Sequence, residues 1–346
     1  MNPAENDDSR GSWTEGPHHR FGNIPLRMQL KFRGEWGLFA ASLLFALAGA
    51  EGLTRAFSTK PLPHLGYAPV RDHRAAEPQN RLEYRDVEHD LKRKPGVHRA
   101  LFVGDSFTYG QGVAFDDTFP KRVERLLTES RKEPWETIVV AVPGIGTGRE
   151  ARLFERDGLP FEPDVMVLGY VLNDGEDHDA GELRRAEEWR QEEERAKNPP
   201  WWTRSALLSF GWGRIEATLQ NRRREANYRG LFEGEKPGFT GSKESLVRIG
   251  ALAKAHHIPW IAAIFPLLGN ALDESYPFVR AHERVAAAAE SAGALVLDLL
   301  PTYRDKNWRL LVVEGEADEH PNELAHRLAA EAIAPAVDKL IQSRIP

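Results

Sequence analysis

From residue 99 onward the chain alternates between two kinds of stretch. Short apolar runs occur at ALFVG (100–104), TIVVAV (137–142), DVMVLGY (164–170), PWIAAIF (259–265) and ALVLDLL (294–300). They are β-prone and continuous rather than alternating, the pattern of strands covered on both faces. Helical patterns lie between them. FPKRVERLLTES (119–130) sets Val123, Leu126 and Leu127 on one face with Pro120 in the first turn. KESLVRIGALAKAHH (243–257), VRAHERVAAAAESAG (279–293) and NELAHRLAAEAIAPAVDKLIQS (322–343) follow the same rule. Strand–helix alternation of this kind predicts a parallel sheet with helices on both faces, an α/β fold.

Two regions depart from that rhythm. Residues 176–240 insert a run of charges, EDHDAGELRRAEEWRQEEERAKN, read as a solvated helix. After it comes a segment carrying Trp201, Trp202, Phe210 and Trp212. That many aromatics predict packing, either as a cap over the carboxyl edge of the sheet or against a membrane surface. Upstream, residues 1–35 are polar with no apolar period and read as a disordered leader. The uncharged stretch WGLFAASLLFALAGA (36–50) comes next, preceded by Arg27, Lys31 and Arg33. The basic cluster predicts a cytoplasmic N-terminus with the remainder translocated. The expected element is a signal-anchor over 36–57; a signal peptide cleaved near ALAGA and a buried soluble helix are the alternatives. Residues 58–98, rich in Pro, Arg, His and Asp, read as an extended connector, which leaves 99–346 as the main domain.

Composition narrows the chemistry. A net charge of −6 offers no basic footprint for nucleic acid. The absence of cysteine excludes a thiol nucleophile, a cysteine-ligated metal and a disulfide framework.

Candidate chemistry gathers at strand ends. LFVGDSFTYG (101–110) leaves a strand and at once presents Asp105 and Ser106. By composition this is a turn; by position it is the carboxyl end of a strand, where α/β folds place their sites. Thr108 stands where a G-x-S-x-G elbow needs glycine. Serine needs a base within reach, and ADEHPNELAHR (317–327) offers His320 with Asp318 two residues before it. Asp318 could accept the Nδ1–H and leave Nε2 as base. By composition the segment is also a capping turn, with Asn322 as the cap. His326 falls inside the last helix and reads as a packing or capping residue. PGIGTG (143–148) provides Gly144, whose backbone N–H can come close to a substrate. VLNDG (171–175) provides the Asn173 amide. A nucleophile, an Asp–His pair and two donors on one rim are what acyl transfer requires.

Taken in order, GDSFTYG, PGIGTG, LND and DEHPN resemble the four blocks of the SGNH/GDSL hydrolases, over about residues 80–346. The lead-in NRLEYRDVEHDLKRKPGVHR resembles that of a bacterial subgroup carrying one N-terminal membrane helix. The resemblance implies a flavodoxin-like three-layer α/β/α sandwich on a five-stranded parallel sheet. It implies Ser106 as nucleophile, His320 as base, and oxyanion donors from the backbone N–H groups of Ser106 and Gly144 and the side chain of Asn173. No metal or organic cofactor is implied. Many relatives place the acid three residues before the histidine, here Ala317; Asp318 matches a D-x-H variant found among carbohydrate O-acetyltransferases. The second block lacks the Asn that often precedes its glycine.

The expected activity is therefore a serine esterase or acylhydrolase of the cell envelope. It would act on a small-molecule, lipid or glycan ester and be held at the membrane by its N-terminal helix, or be secreted after cleavage. The alternatives are an O-acyltransferase modifying a surface polysaccharide, and an inactive carbohydrate-binding or assembly protein on the same scaffold.

Overall fold

The structure, a computed structural model, describes residues 26–57, 78–176, 197–234, 237–314 and 318–343, with isolated positions between 187 and 194. The side chains of residues 26–34, of Glu314 and Asp318, and of several positions between 214 and 237 fall outside that description.

Five strands form one parallel sheet: β1 (His98–Gly104), β2 (Trp135–Ala141), β3 (Val165–Tyr170), β4 (Trp260–Ile264) and β5 (Leu295–Asp298), in the order β2-β1-β3-β4-β5. Their positions follow the five apolar runs. β1, β3 and β4 are buried almost without interruption, whereas β5 is an edge strand whose Leu295 is 38% exposed.

The helices are α1 (Leu26–Phe57), α2 (Ser106–Tyr109), α3 (Phe119–Arg131), α4 (Thr147–Leu153), α5 (Ala206–Leu231), α6 (Pro237–Ala255), α7 (Val279–Ser291), α8 (Leu300–Tyr303) and α9 (Glu323–Gln342). α3 packs on α9 to make one layer, and α4, α6 and α7 pack together to make another. The result is the flavodoxin-like α/β/α sandwich. Strand order reverses direction between β1 and β3, and the crevice at such a switch point is where these sheets bind ligands.

Three features differ from the sequence reading. First, α1 begins at Leu26, ahead of the expected residue 36, and takes in part of the basic leader; residues 1–25 lie outside the described residues. Second, the last loop holds an antiparallel ribbon of β6 (Val312–Glu314) and β7 (Asp318–Pro321), so His320 sits on a strand and not on a loop. Third, the part of the connector that is described, residues 78–97, is stitched into the domain. Buried Arg85 donates to the carbonyls of Tyr109 (2.9 Å), Gly110 (2.7 Å) and Val113 (2.6 Å), the turn just after α2. Asp86 accepts the Val139 N–H of β2 at 2.8 Å and pairs with Lys121 at 2.8 Å. Arg99, fully buried in β1, binds the carbonyls of Asp90, Leu91 and Phe161 and the carboxylate of Glu136. Most buried polar groups are hydrogen-bonded, and these guanidinium groups use backbone oxygens to strap an irregular segment to the sheet.

The charged helix expected after residue 176 falls mostly outside the described residues; the described positions Glu187, Arg190, Gln191, Glu194 and Lys197 are helical and exposed. α5 then runs from the Trp201–Trp202 turn back to the domain. There Tyr228 meets Phe278 edge-on, and Phe232 lies against Phe239 and closes over Gly175.

Candidate active site

β1 delivers the first group. Beyond Gly104 the chain turns at once into α2, with Asp105 as its cap: the Asp105 carboxylate accepts the Phe107 N–H at 2.9 Å. This turn lies flat on the sheet because two paired strand positions are glycine. Gly104 and Gly169 are neighbours across β1 and β3, and a Cβ at either would overlap the Thr108 hydroxyl. Ser106 is thereby fixed as the first residue of α2, at the carboxyl end of the sheet and only 7% exposed.

β7 delivers the second group. His320 points its Nε2 at Ser106 Oγ across 2.9 Å, a hydrogen bond between residues 214 positions apart. The Phe107 ring lies beside the imidazole, 5.7 Å between centroids. Asn322 fixes the chain just beyond: its side chain caps α9 by accepting from Leu324 and Ala325 and donates back to the carbonyls of Leu310 and Val312. Asp318 opens β7, and its side chain lies outside the described residues.

β2 and β3 lead to the two expected donors. Gly144 follows β2 with φ of +78°, a left-handed conformation that a side chain would strain. Asn173 follows β3 in a short 3₁₀ turn and donates from Nδ2 to Asp105 Oδ2 at 3.0 Å. An amide has two such hydrogens, so one is engaged by Asp105. The turn is held from beneath by a relay of hydroxyls: Tyr170 to Ser242 (3.0 Å), Ser242 to Thr147 (2.9 Å), and Thr147 to the Asp174 carbonyl (2.9 Å).

Two carboxyl groups here, Asp105 and Glu150, carry no role in the sequence reading. Asp105 is fully buried and ties Ser106, Phe107 and Asn173 together. Burial pushes its pKa up, against the opposing pull of those hydrogen bonds and of His320. Its signal was available: an acid directly before a helix start is a capping residue. Glu150, in the first turn of α4, is fully buried with neither carboxylate oxygen bonded to a described group. Burial, with Asp105 nearby, raises its pKa well above the usual carboxylate range. In GREARLFER it looks like a surface helix position, and no local signal marks it.

A serine hydroxyl bonded to a half-exposed imidazole can lose its proton as its oxygen attacks a carbonyl carbon. His326, by contrast, is buried against α3, where its Nδ1 accepts the Phe119 N–H at 3.1 Å.

Comparison with known proteins follows the same line. The family model of the GDSL-like lipase/acylhydrolase family matches residues 102–328. No curated protein matches the chain. Among solved structures, the chain is similar to the psychrotrophic esterase EstA of a Pseudoalteromonas species, at 13% identity over 71% of this chain and 99% of that one, with a TM-score of 0.42. It is also similar to the acetyl xylan esterase AlAXEase, at 16% identity over 69% and 99% with a TM-score of 0.43. A third is a serine-to-alanine catalytic mutant of Axe2, an acetylxylan esterase from Geobacillus stearothermophilus, at 14% identity over 69% and 94% with a TM-score of 0.44. These likenesses say nothing of this chain's own substrate. The matched segment spans four of the five strands in full and contains Ser106, Gly144, Asn173 and His320, and the chain belongs to the GDSL-like lipase/acylhydrolase family, a carboxylic ester hydrolase.

Proposed function

We propose that the protein cleaves an ester through an acyl-enzyme on Ser106 and does so at the cell envelope. The observation that carries this reading is the 2.9 Å hydrogen bond from Ser106 Oγ to His320 Nε2. As Oγ bonds to the substrate carbonyl carbon, its proton passes to Nε2. The carbonyl π electrons move onto oxygen, which the N–H groups of Ser106 and Gly144 and the second Asn173 amide hydrogen stabilise. Collapse breaks the bond to the leaving alcohol, which takes the proton from His320. Water then attacks the acyl group with His320 again as base, releasing acid and free serine. Asp318, two residues before His320, is the orienting acid on sequence spacing. Asp105 positions the nucleophile turn and the Asn173 amide together.

The cell-envelope part rests on α1. Residues Glu35–Phe57 form a helix apolar and long enough to cross a bilayer, with none of it buried in the domain. We read it as an anchor that leaves the catalytic domain on the far side from the basic N-terminal residues.

A fluorophosphonate probe tests the chemistry. Expected is a single adduct on Ser106, found by peptide mass spectrometry, and its loss in His320→Ala. A folded wild-type sample that fails to label, or labels elsewhere, defeats the reading. Adding a polysaccharide to the acyl donor separates hydrolysis from transfer: free acid alone supports the hydrolase, and acylated glycan supports the transferase.

A further inference from the structure

The N-terminal helix and the insert helix meet at one carboxylate. Glu51, near the end of α1, accepts from the Ser205 hydroxyl, the Ala206 N–H and the Leu207 N–H, each at 2.8 Å. Arg55, one turn on, pairs with Glu51 and donates to the Arg204 carbonyl at 2.8 Å. An acid from one helix thus supplies the N-terminal cap of another that is 26 residues long.

This contact fixes depth. At 1.5 Å per residue, Glu51 lies roughly 22 Å along the axis from Trp36 and about 9 Å short of Phe57. In a bilayer with a hydrocarbon core about 30 Å thick, a helix that holds Glu51 at the far boundary meets the near one about 20 residues earlier, at the level of Lys31 and Arg33 in the basic start of α1. A carboxylate there is costly unless it is bonded, and the first N–H groups of α5 bond it. Ser205–Leu207 must therefore sit at that boundary too.

The residues around this junction suit that depth. Trp201 is 76% exposed, and Leu208, Phe210, Trp212, Ile215 and Leu219 are each about half exposed. Trp202 and Trp212 lie together, 5.5 Å between ring centroids. The start of α5, ALLSFGWGRIEATL, is mostly apolar, with Arg214 and Glu216 its only charges, and leaves Leu208, Phe210 and Trp212 exposed, which suits neither a solvated helix nor one side of a core. Polarity reverses at QNRRRE, and only the far end, at Tyr228 and Phe232, packs on the domain. Tryptophan at the headgroup level with cationic residues beyond it is the order found at membrane boundaries.

We propose that residues Trp201–Leu219 lie in the headgroup region of the bilayer that α1 spans, as a second and interfacial membrane contact. The inference rests on the anchor reading of α1 and goes beyond it. α5 then links the bilayer to the wall of the site: its last turn covers Gly175, two residues after Asn173, and Asn227 bonds Glu176 at 3.3 Å.

Because the chain has no cysteine, a single introduced thiol is a unique label site. The full-length protein would carry a nitrobenzoxadiazole fluorophore at Leu208→Cys, Ile215→Cys, Phe45→Cys or Lys254→Cys. Each would be reconstituted in nanodiscs of phosphatidylcholine and phosphatidylglycerol, with spin-labelled lipid as quencher. Expected are a blue shift and quenching by headgroup spin label at 208 and 215, quenching by mid-chain spin label at 45, and neither at 254. Quenching at 45 with none at 208 and 215 overturns the proposal and leaves the anchor standing. No quenching at 45 overturns the anchor, and the interfacial contact with it. Protection of 208 and 215 in lipid-free detergent, together with a dimer mass, overturns the proposal in favour of a second copy on this face.

Discussion

Two histidines six residues apart in sequence do opposite work in this molecule. His320 lies on β7, half exposed, with Nε2 on a serine hydroxyl. His326 lies one turn into α9, fully buried, stacked on Phe119 at 16° between ring planes. Its Nδ1 accepts the first N–H of α3, one of the donors that a helix start leaves without a partner inside the helix. Burial, helped by Arg85, Arg122 and His320, pushes its pKa down to about 3. A ring whose acceptor nitrogen already holds a backbone N–H cannot take up a proton without breaking a cap. His320 Nε2 faces the Ser106 hydroxyl instead. Residue type gives the same chemistry to both; solvent and the atom each nitrogen faces divide it.

The largest expected effect breaks the pair cleanly. His320→Ala and Ser106→Ala should each lower kcat by roughly 10⁴–10⁶-fold while the thermal midpoint stays close to wild type. Ester cleavage at near wild-type rate by folded Ser106→Ala would end the comparison. His326→Ala should do the reverse, with turnover per folded molecule retained and stability reduced.

Next in size is a pH effect. The unfolded His326 takes up a proton below about pH 6.5, whereas the folded one resists until about 3. The depressed folded pKa means that stability is lost as pH falls through this window, by roughly 5 kcal/mol in full. His326→Gln keeps an acceptor without a titrating group, so denaturant titrations at pH 7, 5 and 4 should show a flatter slope than wild type. An unchanged slope would place the acid sensitivity elsewhere.

Asn173→Ala should cost about 10²-fold in kcat with little change in KM, the signature of a donor used mainly in the transition state. A change confined to KM would make Asn173 a ground-state contact. The smallest effect concerns Glu150. Its folded pKa is raised, so its contribution is fully present below about pH 4.5, the unfolded value, and is lost as pH rises towards the folded pKa. Glu150→Gln should therefore gain on wild type as pH rises from 4 to 8. A steady loss over that range would mean that the carboxylate is ionised and bonded in the fold.

Much of the sheet was legible because a parallel strand buried on both faces must be apolar throughout, as VMVLGY is. The rim positions Ser106, Gly144 and Asn173 were legible because each interrupts such a run with small or polar residues. The β6–β7 ribbon was not. Its strands are only three and four residues long, EGEADEHP shows no alternation, and the pairing depends on chain closure and not on side-chain pattern. Asp105 and Glu150 stayed hidden for a different reason: burial is decided by what packs above a residue, which GDS and GREARLFER do not reveal. The strap at residues 78–98 evaded reading because its polar side chains bind carbonyls distant in sequence, and no period records that.

That strap has a mechanical consequence. The stretch matched by the family model begins at residue 102, whereas the described hydrogen bonding of the strap begins at Gln79 and Asn80, where Asn80 closes a turn onto Tyr84. Homology and cohesion therefore draw different borders around the same enzyme. A pull that reaches the domain along residues 78–83 is borne first by Tyr84, Arg85 and Asp86, before a single sheet strand is loaded. Since Arg85 grips the carbonyls that follow α2, tension on the tether would reach the serine's own turn while the sheet stayed intact.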